Sequence, residues 1–170
     1  MTTPTPVRME EPDVRPPLET PSSTQGIGAD AAAASQTLAN PAEERRLYDA
    51  AFEALKEGRY AEAARRFQGF LKTYPDGEFA PNAHYWLGES YYVTQNYQIA
   101  LDAFRTLLER FPSSSKAPDA LLKIGYCQYE LRQWAEAEAT LNQVIERYPD
   151  STVARLAQGR LRALRLERRQ

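Results

Sequence analysis

Aromatic side chains are missing from the first 47 residues of this 170-residue chain, and six of its twelve prolines fall before residue 41. A stretch built from Pro, Thr, Ser and Ala cannot bury enough apolar surface to offset the entropy of ordering it. Residues 1–42 therefore read as a disordered linker, in which the run Ala31 to Ala34 is too short to hold a helix by itself. Cysteine is nearly absent too: Cys127 has no second thiol, which excludes an intramolecular disulfide. No window of about 18 apolar residues exists to span a membrane. The N-terminus also lacks the basic-then-apolar order of a secretory signal, so neither membrane insertion nor a signal peptide is read in this chain. Nor is base in excess. The formal net charge is -2, with -3 on the first 40 residues and +1 on the rest, which argues against a nucleic-acid partner, since that needs clustered Lys and Arg.

The chemistry of catalysis is equally thin. No nucleophile with base and acid, no metal-ligand spacing and no Gly-rich phosphate loop can be found. His84 stands alone, without Cys or His at ligand spacing, and reads as packing at a helix contact. Glu43 and Glu44 sit where a helix begins and complement its dipole. A non-enzyme with no catalytic residues, no metal and no cofactor is expected.

What the chain does have is a period. A shift of 37 residues aligns Tyr60 with Tyr97 and Trp134, Ala63 with Ala100 and Ala137, Phe67 with Phe104 and Leu141, and Pro75 with Pro112 and Pro149. Ala51, Gly88 and Gly125 share another column. Within each unit apolar residues recur at helical spacing in two blocks, parted by a short polar break and closed by a Tyr-Pro or Phe-Pro pair. The pattern predicts helices at about 43–57, 60–73, 78–94, 97–110, 115–131, 134–147 and 151–167. These make three helix-turn-helix units, at about 43–76, 78–113 and 115–150, and a closing helix. The small column of Ala51, Gly88 and Gly125, set against Ala63, Ala100 and Ala137, is expected to let the two helices of each hairpin approach closely, an approach that can offset the helix cost of glycine.

The pattern resembles the tetratricopeptide repeat, best in the second unit through Leu87, Gly88, Tyr91, Tyr97, Ala100, Phe104 and Pro112. The first unit departs, with Ala50, Ala51 and Ala54 where Leu, Gly and Tyr are usual, and the third has Gln128 in place of Tyr. The resemblance implies an all-α right-handed superhelix of three repeats plus a C-terminal cap over 43–168, a binding scaffold and not an active site. In the cap, Ala154, Ala157 and Leu161 align with the core face. Arg155, Arg162, Arg165 and Arg169 fall on a strip about 80° wide at 100° per residue, which reads as a solvated capping face.

On a helical wheel the helix at 78–94 carries two apolar stripes. Ala80, Ala83, Leu87 and Tyr91 make the core stripe; Asn82, Tyr85, Glu89 and Tyr92 make a second, with Trp86 on its flank. Its counterparts include Tyr48 and Phe52 in the first unit and Leu122, Tyr126 and Tyr129 in the third. A helix apolar on two faces needs two partners, and in tetratricopeptide arrays the first helices line the concave groove. Two readings stay open: these side chains pack between neighbouring first helices, or at least Tyr85, Tyr92, Tyr126 and Tyr129 remain accessible as a ligand surface. Tyr, Phe and Leu at these positions disfavour a clamp for a C-terminal carboxylate. With Glu89 and Asp119 adding negative charge, they suit a peptide with apolar anchors and a Lys.

The boundary text "YPDGEFAPNAHYWLGESYY", then "FPSSSKAPDALLKIGYC" and "YPDSTVARLA", resembles more narrowly the C-terminal repeat domain of the Tol-Pal-associated YbgF family, also called cell division coordinator CpoB. That resemblance implies a periplasmic scaffold that binds TolA and, in some members, coordinates a bifunctional peptidoglycan synthase with outer-membrane constriction during division. Family members also carry a signal peptide and a trimerising coiled coil, neither of which is read here; the repeat domain alone is expected to be monomeric. The alternatives are another periplasmic repeat scaffold, similar to the outer-membrane assembly lipoprotein BamD, or a structural oligomerisation module.

Overall fold

The computed structural model describes residues 40–170; the expected linker lies outside the described residues except for its last three. Seven helices follow one another, α1 (Pro41–Lys56), α2 (Tyr60–Thr73), α3 (Ala80–Val93), α4 (Tyr97–Arg110), α5 (Ala117–Glu130), α6 (Trp134–Arg147) and α7 (Thr152–Glu167), and no strand occurs among the described residues. The first helix starts two residues earlier than the periodicity suggests. Pro41 opens it, a residue suited to the first turn, and Asn40 Oδ1 accepts from the Glu43 N–H at 3.2 Å.

Each hairpin turns in the same way. Gly58 (φ 75°), Gln95 (φ 62°) and Arg132 (φ 59°), which are 37 residues apart, take the left-handed conformation just past the first helix. The residue after each of them reaches back to the last turn: Arg59 N–H donates to Ala54 O, Asn96 N–H to Tyr91 O and Gln133 N–H to Gln128 O, all at 2.8–2.9 Å. This is the Schellman closure, which satisfies carbonyls that the helix end would otherwise orphan. Only the first unit places a glycine there. At the other end of each hairpin Tyr74, Phe111 and Tyr148 leave the second helix with φ near -125 to -131° and ψ of 56–62°, outside the α region that a following proline disfavours.

Hairpins stack so that each helix packs on its neighbours in sequence, and the first helices α1 with α3 and α5 with α7 also touch across the array. The glycine column has a different opposite number from the one expected. A Cβ on Gly88 would fall 2.6 Å from Cε1 and Cζ of Phe104, and one on Gly125 would fall 2.7 Å from Leu141 Cδ2. Close approach therefore makes room for the bulky residue of the second helix and not for Ala100 or Ala137. Phe67, Phe104 and Leu141 are fully buried as a result.

Candidate partner-binding groove

The second stripe runs along α1, α3, α5 and α7, and its columns behave differently. Tyr48, Tyr85 and Leu122 form one column and all are buried, at 9%, 9% and 3% exposure. Tyr48 is a hub: its ring lies 4.8 Å from Phe79, 5.9 Å from Phe67, 6.0 Å from Phe70 and 6.1 Å from Phe52. Its hydroxyl is pushed up to about 12 by burial, against hydrogen bonding with Trp86 and Asn82. Tyr85 sits 4.9 Å from Trp86 and 5.7 Å from Phe104, and burial, with the nearby Glu89 and Asp119 charges, raises its hydroxyl far above the ordinary value. Of the two readings left open for Tyr85, the accessible one is thus corrected: Trp86, Phe104 of α4 and Lys116, just ahead of α5, pack around it. Trp86, 7% exposed and 5.3 Å from Phe52, is buried by the same packing.

The next columns stay open. Phe52, Glu89 and Tyr126 are half-buried, as are Asn82, Tyr92 and Tyr129. Along this open part every ring is accompanied by a cation. Lys123 Nζ stands 4.8 Å above Tyr92 and 5.8 Å from Tyr126, and the Arg160 guanidinium lies 4.3 Å from Tyr126 and 4.8 Å from Tyr129. Lys116 Nζ takes the same part over Tyr85 and Trp86, at 5.0 and 5.2 Å. Such contacts contribute about 0.5–1 kcal/mol when exposed and more when desolvated. Except for Lys123 over Tyr126, a pair within α5, these cations come from the repeat after the ring they cover, so they tie α5 to α3 and α7 to α5.

Carboxylates complete the row. Lys123 Nζ is 2.8 Å from Glu89 Oε1, and both side chains are mostly buried; Arg160 Nη1 is 3.4 Å from Glu130 Oε1. Glu89, expected to present free negative charge, is therefore neutralised within the chain. Desolvation lowers the Lys116 ammonium and raises the Asp119 carboxyl, each opposed by the other's charge. Lys116, Lys123 and Arg160 were absent from the residues singled out on the wheel. Lys123 and Arg160 stand 37 residues apart in the Trp86 column, and that shared column was the signal available.

Away from the groove, His84 is buried against Phe111, ring to ring 5.9 Å, with Nε2 unpartnered. Desolvation, then the Arg110 charge, lowers it to about 4. Cys127 is buried and its thiol raised to about 12 by burial. Among the described residues no group of three or more His, Cys, Asp or Glu is placed to hold a metal, and no helix is long and apolar enough to cross a membrane.

Two family models, each described as tetratricopeptide repeat, match residues 48–115 and 119–151, together more than half of the chain. The chain is 44% identical over 57 residues to the cell division coordinator CpoB of Pseudomonas putida, a match covering 34% of this chain and 21% of that protein. It is also 44% identical over 46 residues to CpoB of Escherichia coli strain K12, covering 26% and 18%. It thus spans about a fifth of the length of the curated relatives it matches. Among solved structures, the Yersinia enterocolitica type III secretion chaperone SycD in complex with a peptide of the translocator YopD is similar in fold, with a TM-score of 0.65, 18% identity and coverage of 76% of this chain and 97% of that one.

Proposed function

The chain belongs to the tetratricopeptide-repeat family, and on that premise we propose that it is a non-enzymatic protein-interaction scaffold of the cell-division machinery, holding a partner segment in the groove of its first helices. The observation that carries this reading is the half-buried row of Tyr92, Tyr126 and Tyr129 with Lys123 and Arg160 set over the rings. Tyrosine and arginine are the residues most often found at the energetic centre of interfaces, and here both are pre-positioned by neighbouring repeats. Asn82, Glu89 and Phe52 line the same groove. Tyr48, Tyr85, Trp86 and Leu122 act beneath it as its floor.

The part-length likeness to CpoB supports a role in division. Within that role the partner is TolA of the Tol-Pal envelope system, the site of action is the periplasm, and coordination of a bifunctional peptidoglycan synthase with outer-membrane constriction is the outcome. Titration calorimetry of the chain with TolA tests the assignment. Tyr126→Ala with Tyr129→Ala should cost about 1–3 kcal/mol of binding. Unchanged affinity in a folded double variant removes the groove from the interface, and no binding by the parent chain removes TolA as the partner.

A further inference from the structure

α7 differs from the first helices before it on one face. In α3 and α5 the face that receives the second helix of the hairpin carries Gly88 and Gly125, roofed by Phe104 and Leu141. One repeat later the same column holds Arg162, and Arg155, Arg162 and Arg165 are exposed on a strip of α7 running about 15 Å along the axis at 1.5 Å per residue, with Arg169 exposed in the turn just past the helix end. Arg155 donates to Asp150 O at 3.3 Å and to Thr152 Oγ1 at 3.1 Å. Arg162, Arg165 and Arg169 have no carboxylate partner among the described residues, whereas Arg160 and Arg168, on other sides of this segment, pair with Glu130 and Glu138. Leu166, 63% exposed, borders the strip. Arginines at i, i+3 and i+4 repel one another, and the helix dipole offsets only part of that at the C-terminal end.

We propose that this face seats an acidic helix of a partner protein, one that carries Asp or Glu at i, i+3 and i+7 beside an apolar residue that meets Leu166. The fold supplies the shape: in each preceding hairpin a helix lies along this face. The chemistry supplies the charge, because guanidinium groups bind carboxylates with paired hydrogen bonds. Arginine in place of glycine holds the incoming helix farther off, at the reach of such a pair. The strip is narrow, whereas an anionic membrane engages a broad basic face whose apolar residues insert together. This seat is separate from the groove.

A synthetic amphipathic helical peptide with Glu at i, i+3 and i+7, and its Gln counterpart, test the proposal by fluorescence anisotropy against the full chain. The Glu peptide should bind in low salt and weaken as salt rises. Arg162→Glu with Arg165→Glu should lose about tenfold or more in affinity, and a Lys version of the peptide should recover it. Arg65→Glu with Arg105→Glu, which makes the same change in net charge at exposed arginines elsewhere, should leave binding unchanged, as should Tyr126→Ala with Tyr129→Ala. Equal binding of the Gln peptide, an equal loss in the Arg65/Arg105 variant, or loss in the tyrosine variant overturns the proposal. So does binding of anionic phospholipid vesicles in place of the peptide, or self-association of the chain that the Arg162/Arg165 variant abolishes, which would seat a second copy there.

Discussion

Glu44 Oε1 accepts a hydrogen bond from the backbone N–H of Phe79 at 3.1 Å, so a carboxylate of the first helix holds the entry to the third. The other two unit boundaries use a serine of their own: Ser114 Oγ accepts from Lys116 N–H and Ser151 Oγ from Ala154 N–H, each at 3.1 Å. The corresponding residue here is Gly77, and a Cβ on it would collide with the Glu44 carboxylate. The glycine and the buried glutamate replace the local cap together. Glu44→Ala should lower stability by about 1–2 kcal/mol in urea unfolding. Gly77→Ser should destabilise the parent yet rescue Glu44→Ala, and a strictly additive pair would disprove the exchange.

The same substitution should have opposite signs at two glycines. Gly88→Ala drives a methyl into the Phe104 ring and should cost about 1–3 kcal/mol. Gly69→Ala, in α2 with nothing within 4 Å of the added carbon, should gain about 0.5–1 kcal/mol from helix propensity. Melting temperatures of the two variants give the comparison.

At the hairpin turns, Gln95 and Arg132 hold the left-handed conformation that Gly58 adopts freely. Gln95→Gly and Arg132→Gly should each stabilise the fold by roughly 0.5–1 kcal/mol. A loss at either position would mean that its side chain makes a compensating contact.

Stability should fall in mild acid because of His84. Its folded value is depressed from 6.5 to about 4, so the unfolded chain takes up a proton that the folded chain refuses. The contribution is whole above about pH 6.5 and is lost as pH drops toward about 4, by roughly 1–2 kcal/mol after allowance for solvent screening. Denaturant titrations across that window should flatten in His84→Leu.

The helices and their register were legible because a 37-residue period repeats every punctuation mark: the Tyr-Pro stops, the alanine column and the aromatic at each second-helix start. The face of a residue is also legible from a wheel, since it follows from 100° per residue. What comes to cover that face is not. Tyr85 and Tyr92 share a stripe, yet Tyr85 is buried among Trp86, Phe104 and Lys116 while Tyr92 stays half open, because the neighbours that reach each ring come from other elements. The partner of Gly88 was misread for a related reason: a small residue announces close approach without saying to what. Glu44 gave no signal at all, since its contact spans 35 residues and occurs at only one of the three boundaries.

Arg160 belongs to the helix that ends the described array, yet the rings it covers, Tyr126 and Tyr129, belong to the repeat before it. Shortening the chain ahead of α7 would therefore take away more than a cover for the core: it would leave Tyr129 without its cation, Tyr126 with Lys123 of its own helix alone, and Glu130 deprived of its counter-ion. No unit of this array owns its own stretch of groove, and the smallest piece that can present one complete recognition element is a repeat together with the first helix of its successor.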